Sequence, residues 1–314
     1  MKIQKLLFTF LIGLIFLPSL VIAQTTEESL YISPDYDLEN RKETDFYLLR
    51  KGISIFFYVE KDWWDSLNEN QQTEASMSIR DLDFAFKFDI KPALNKAYGM
   101  EVSPGIDNEE KIVVAIHQMK DNSLGYFRSA NQYYNYQVSR SNEHEMVYLN
   151  ANYITDDNVE SYLAHEFTHL ITFNQKDQYA MTEETWLNEA RAEYAPTIVG
   201  YNDEYKDSYL ERRVEDFIKE PFDSITEWQG ESSDYGALTL FTHYLVDHYG
   251  EEILKDSLRS RYIGIESINK ALEENGFEKS FSDIFTDWTI AVAVNDCSLG
   301  EYYCYKNENL KNVD

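Results

Sequence analysis

The stretch Asp156–Phe173, DDNVESYLAHEFTHLITF, is where the texture of the sequence changes. Val159, Leu163 and Leu170 share one helical face, and Asp156-Asp157 can cap a helix from about Asn158 to Phe173. Upstream, the apolar runs are short and rich in aromatic and β-branched residues. Ile53–Val59, Lys111–Ile116 and Glu145–Tyr153 read as strands. A helical stretch from about Asn70 to Tyr98 interrupts them, with Pro92 as an expected kink or break. Downstream, helices are predicted at 183–195, 203–218, 234–249, 251–258, 266–274 and 280–294. Gly250 and Gly276 stand where C-terminal caps belong, and Ser280 with Asp283 suggests an N-cap. Strands first and helices second predict an α+β fold. A mixed β-sheet N-terminal lobe (46–155) and a mainly helical C-terminal lobe (156–314) would meet at the 158–173 helix, forming a single domain over 46–314.

Composition bounds the function. The 314 residues hold 28 Lys plus Arg against 56 Asp plus Glu, a formal charge of -28. Nucleic-acid binding needs basic side chains to displace counterions, so this excess of acids argues against that partner. It also disfavours anionic membrane surfaces. An apolar fraction of 43% with 15% aromatic residues argues against a disordered acidic chain. Lys2 and Lys5 precede the uncharged run Leu6–Ala23, which ends Val21-Ile22-Ala23, so residues 1–23 read as a signal peptide. An uncleaved anchor is the competing reading. Cleavage would leave a secreted, periplasmic or cell-surface protein without stable membrane association. Residues 24–45 are polar and read as a loose lead-in. In an oxidising compartment Cys297 and Cys304 could close one small disulfide loop; two free thiols are the alternative.

The centre of the opening stretch carries chemistry. His165 and His169 are four residues apart, so on a helix both imidazoles face one side and can share an ion. Neutral imidazole suits zinc. Glu166 lies about a quarter turn away and can reach a metal-bound water without being a ligand. Two surface histidines on an ordinary amphipathic helix would give the same letters, so context decides. Twenty residues after His169 comes Glu189, flanked at helical spacing by Trp186 and Ala190. A carboxylate on so apolar a face is costly unless paired or metal-bound. One zinc ion per chain, held by His165, His169 and Glu189 with a fourth position open, would satisfy it, and that is the catalytic type of site. Glu193, one turn further, could accept a hydrogen bond from the distal nitrogen of a ligating histidine; a solvated helix face is its other reading. So acidic a chain has oxygen ligands for calcium as well, but no EF-hand loop or other dedicated motif.

On HEFTH (His165–His169) and NEARAE (Asn188–Glu193), the sequence resembles the gluzincin zinc metallopeptidases with a thermolysin-like zinc site. In that pattern the glutamate is the third ligand, and an acid four residues later supports a histidine. More specifically, it resembles the hyicolysin-like secreted neutral metallopeptidases, from roughly residue 98 to 294. Leu124-Gly125-Tyr126-Phe127, Ser141-Asn142-Glu143 with EMVYLNANY, HEFTHLITFNQ, ETWLNEARAEYA, Asp234-Tyr235-Gly236-Ala237 and FTDWTIAVAVND carry the resemblance. Ala190 departs from it, since these families usually have glycine after the ligand glutamate. The first 97 residues resemble the family only vaguely. The resemblance implies a thermolysin-like zincin fold. It also implies an exported zinc-dependent metalloendopeptidase that hydrolyses peptide or protein substrates through a zinc-bound water, with Glu166 as general base.

Other roles are less determined. Tyr235 is the candidate oxyanion donor, because a Tyr-Gly pair opens the 234–249 helix and the family often shows one there; a structural tyrosine, one of 24, is the alternative. His243 reads as a packed core residue, and His248 as support for a negative helix end. Asn150-Ala151 is similar to the edge-strand dipeptide of thermolysin-like enzymes, so the strand before the zinc helix could bind substrate by backbone pairing or be an interior strand. Two further functions compete. Gly99-Met100-Glu101 faintly resembles the amine-binding motif of zinc aminopeptidases. A non-catalytic surface binding protein with structural zinc would close the fourth position with Cys or His.

Overall fold

The computed structural model describes residues 26–121 and 123–311, and the signal-peptide expectation lies outside them. The N-terminal half supplies strands β1 (Glu27–Tyr31), β2 (Glu43–Lys51) and β3 (Ile55–Glu60), then helices α1 (Lys61–Ser66), α2 (Glu69–Ala85) and α3 (Lys91–Tyr98). Strands β4 (Ile112–His117), β5 (Gly125–Phe127) and β6 (Met146–Asn150) follow. The C-terminal half is helical: α4 (Val159–Asp177), α5 (Thr185–Val199), α6 (Tyr209–Lys219), α7 (Ser232–Tyr249), α8 (Glu252–Arg259), α9 (Gly264–Glu274) and α10 (Phe281–Val294). The protein is thus mixed α/β, with one sheet and a helical lobe.

The sheet order is β1-β2-β3-β4-β6-β5, with β3, β4 and β6 parallel and the outer pairings antiparallel. Alternation along the strands explains two cores. Ile112, Val114 and Ile116 of β4 face the helices, while Val113 and Ala115 join Tyr126, Met146 and Tyr148 in a smaller cluster. Because both faces are covered, β4 is buried at every position and reads as an unbroken apolar run.

Four expectations need correction. The 24–45 segment is not loose where described: its residues form β1 and the start of β2, with Leu30, Ile32 and Asp37 buried. The stretch escaped notice because β1 is an edge strand carrying Glu27 and Glu28, and charge is how edges resist further pairing. The strand before α4, β6, is not an edge. β5 pairs along it, Gly125 opposite Leu149 and Phe127 opposite Val147, so Asn150 and Ala151 are buried. Asn150 instead ties loops together, donating to Ser123 O and accepting from Asn152 N and Met119 N. Pro92 does not break its helix; a π-helical turn, Phe86–Ile90, joins α2 to α3. A widened turn relieves the collision of a proline ring with the carbonyl four residues back. Finally, Asn158 rather than Asp156-Asp157 is the N-cap of α4; Asp156 accepts from Asn158 N and from the Tyr162 hydroxyl.

Downstream, the expected caps are in place. Gly250 closes α7 at φ 87°, a conformation that favours glycine, and Ser280 with Asp283 forms a capping box on α10. Cys297 and Cys304 are joined as a disulfide with Cα atoms 5.0 Å apart. Among the described residues no helix is long and apolar enough to cross a membrane.

Candidate metal centre

Helix α4 is buried almost without interruption from Val159 to Thr172, packed against α5, α3 and strands β5 and β6. That environment fixes its polar residues. His165 and His169 project toward α5 and meet Glu189 there. Their Nε2 atoms lie 3.1 Å apart, and Glu189 Oε2 lies 3.3 Å from the first and 3.5 Å from the second. Tetrahedral bonds of about 2.0–2.1 Å to one zinc ion would set donors roughly 3.3–3.4 Å apart. The triangle matches that spacing. Glu189 Oε2 is also buried without a hydrogen-bond partner, as a carboxylate oxygen reserved for a cation would be. Among the described residues this is the one His/Cys/Asp/Glu group whose ligand atoms are close enough to hold a metal. The residues therefore fit the ion that the sequence implied.

Charge around the triangle is sharply divided. Burial disfavours a charged His165, but Glu189 and Glu193 outweigh it and push the imidazole up to about 10. Burial would raise Glu189, yet His169 and His165 hold its carboxyl well below the usual range. For Glu166 burial dominates, only partly offset by the two histidines, and the carboxyl is pushed up to about 7. Glu166 is not a corner of the triangle, and its Oε2 has no hydrogen-bond partner. It faces β5 closely. A Cβ added to Gly125 would lie 2.6 Å from Tyr148 O and 2.8 Å from Glu166 Cγ and Oε1. Gly125→Ala is therefore expected to displace Glu166, cutting turnover about 10- to 100-fold with metal stoichiometry unchanged. Steady-state kinetics beside metal analysis would check this, and full activity would contradict it.

Glu193 lies with its Oε1 3.2 Å from Nδ1 of His165. It is fully buried and heavily tied. Arg213 donates to both oxygens at 2.7 and 2.8 Å, the Tyr209 hydroxyl donates at 2.7 Å and Thr239 Oγ1 at 3.0 Å. Burial alone would raise this carboxyl; Arg213 and His165 bring it down to about 2. Arg213 and Thr239 had not stood out in the sequence. A signal existed for Arg213. It lies between Tyr209 and Phe217 at four-residue spacing, on the apolar face of α6, where an unpaired cation is as costly as the anion that drew attention to Glu189.

Tyr235 opens α7 as expected, and its ring stands 6.4 Å from that of His165, between Trp228 and the Arg213 guanidinium. His243 is buried against Tyr194, and burial lowers it to about 3. His248 does not serve its own helix end; its Nε2 meets Cys304 O at 2.9 Å. His165, Glu166 and Glu189 open on a cleft of about 390 Å³, bordered also by Tyr36, Gly125 and Tyr235, and His169 borders a smaller hollow beside it. Asn150 and Ala151 do not border it.

Fold and site together describe a cleft able to hold one metal ion beside a separate carboxylate, and the similarity found among known proteins is to a metalloprotease. That relative is the neutral metalloprotease ShpI of Staphylococcus hyicus, 25% identical over an alignment of 231 residues that covers 65% of this chain and 50% of the relative. The chain thus matches about half the length of that protein. No family model matches the chain.

Proposed function

We propose that this chain is an exported zinc-dependent metalloendopeptidase. The observation that carries the reading is the donor triangle of His165, His169 and Glu189 opening on a cleft that also holds the unpartnered carboxylate of Glu166. When bound there, zinc would supply a Lewis acid that acidifies water and polarises a scissile carbonyl. Glu166 would take the proton of the attacking water and deliver it to the departing amine nitrogen. Glu193 would accept from Nδ1 of His165, fixing its tautomer so that Nε2 presents a lone pair. Tyr235 would donate to the developing oxyanion. The substrate would lie along β5, whose outer edge pairs with no described strand and whose Gly125 borders the cleft, with Tyr126 and Phe127 lining the smaller hollow beside it, an arrangement suited to backbone pairing with many sequences. The apolar leader Leu6–Ala23 supports export.

Two observations weigh against the competing readings. Glu101, the acid of the aminopeptidase-like tripeptide, is buried against Lys91 and does not border the cleft. The two cysteines are bonded to each other, so neither thiol is free to close a structural zinc site. Mass spectrometry of a digested peptide library is expected to show internal cleavage that chelator abolishes and zinc restores. N-acetylated peptides should be cut as readily as free ones. Loss of cleavage on acetylation would favour the aminopeptidase; zinc bound without any cleavage would favour the binding protein.

A further inference from the structure

Tyr36 belongs to the segment between β1 and β2, far in sequence from every motif, yet it borders the cleft beside Glu166, Glu189 and Tyr235. It is held firmly there. Its ring stacks on Tyr126 at 4.5 Å and 11°, and Tyr126 stacks on Tyr148 at 4.3 Å and 10°. Its backbone N–H donates to Ser33 O, and its carbonyl accepts from Lys120 N. The next residue, Asp37, is buried and takes hydrogen bonds from the Arg41 guanidinium, which also binds Glu60. Ser33 N donates to the Tyr126 hydroxyl, closing the anchor. All this holds a tyrosine that is itself 39% exposed, and whose hydroxyl bonds to no described residue. An anchor this extensive under an uncommitted hydroxyl is what preorganisation of a donor requires. Burial and the nearby Glu166 and Glu189 push the phenol up to about 12, so at neutral pH it keeps its proton and donates. Tyr235, on α7, borders the same cleft.

We infer that Tyr36 is a second substrate-contacting donor, its hydroxyl hydrogen-bonded to the scissile carbonyl oxygen and most strongly when that oxygen becomes an oxyanion. The inference rests on the peptidase reading above. The sheet lobe would thus supply one phenol and the helical lobe the other, with the carbonyl between them. No proton is transferred by Tyr36 in this role.

The test is Tyr36→Phe, which keeps the ring stack and removes only the hydroxyl. Loss of one oxyanion donor is expected to lower kcat about 100-fold while leaving KM nearly unchanged. A second readout needs no turnover. Affinity for a phosphonamidate peptide, whose tetrahedral anionic oxygens imitate the transition state, should fall by a similar factor. Affinity for an intact peptide, measured in the Glu166→Gln background, should not change. Unchanged kcat and phosphonamidate affinity would overturn the inference, as would a raised KM with kcat retained, which marks a cleft wall only. In either case wild-type cleavage would leave the peptidase reading standing. A wild-type protein that cleaves no peptide and binds no phosphonamidate overturns both.

Discussion

Glu166→Gln is expected to reduce peptide hydrolysis about 1,000-fold or more while leaving fold and zinc stoichiometry intact. The two halves of this result have separate structural grounds. Zinc retention follows because Glu166 is not one of the three clustered donors. An intact fold follows because glutamine fills the same volume, and the oxygen it alters has no hydrogen-bond partner to lose. The rate loss follows because a neutral amide cannot accept the proton of the attacking water. Burial that pushes this carboxyl up to about 7 would make it a stronger base than a surface glutamate, and that advantage goes too. Kinetics on a library-derived peptide, beside metal analysis of the same preparation, would decide it. Activity within tenfold of wild type would exclude Glu166 as the base.

Arg213→Met should produce the largest loss of stability. Arg213 and Glu193 are a buried pair with side-chain exposures of 6% and 0%. Removing one member of such a pair leaves an uncompensated charge, at a cost of about 3–5 kcal/mol. In a chain of this size that corresponds to a Tm lowered by roughly 5–8 °C. The partner determines the rest of the experiment. Glu193→Gln in the same background removes the stranded charge and should recover a substantial part of the loss, so the two substitutions will be strongly non-additive. Zinc affinity should weaken as well, because Glu193 can no longer be held against His165. Thermal unfolding of the two single variants and the double, with zinc titrations, would measure this. Simple additivity would mean that the pair is not the stabilising unit.

Sequence legibility followed the range of the interaction. The histidine pair and its glutamate were readable because helical periodicity turns spacing into proximity, and Glu189 announced itself as a carboxylate on an apolar face. Helix caps were readable for the same local reason: Ser280 meets Asp283 three residues on. Strands β1, β2 and β5 were not. The first two are rich in charged and polar residues, and β5 has only three residues, Gly125–Phe127, too few to show alternation. With β5 unseen, β6 can be taken for an edge, and Asn150 and Ala151 for a substrate-pairing role that their burial denies. Tyr36 was invisible because its place depends on Tyr126 and Lys120, about ninety residues away. Nothing nearby in the chain hints at that contact.

The placement of Tyr36 gives the segment between β1 and β2 a share in the cleft. Were a proteolytic trim to advance past the first strand, it would remove a side chain from the cleft and strip one partner from β2. The phenylalanine that β1 helps to cover, Phe46, has no exposure at all in the intact sheet. The described sheet starts at Glu27, so the segment ahead of β2 is part of the fold that builds the cleft.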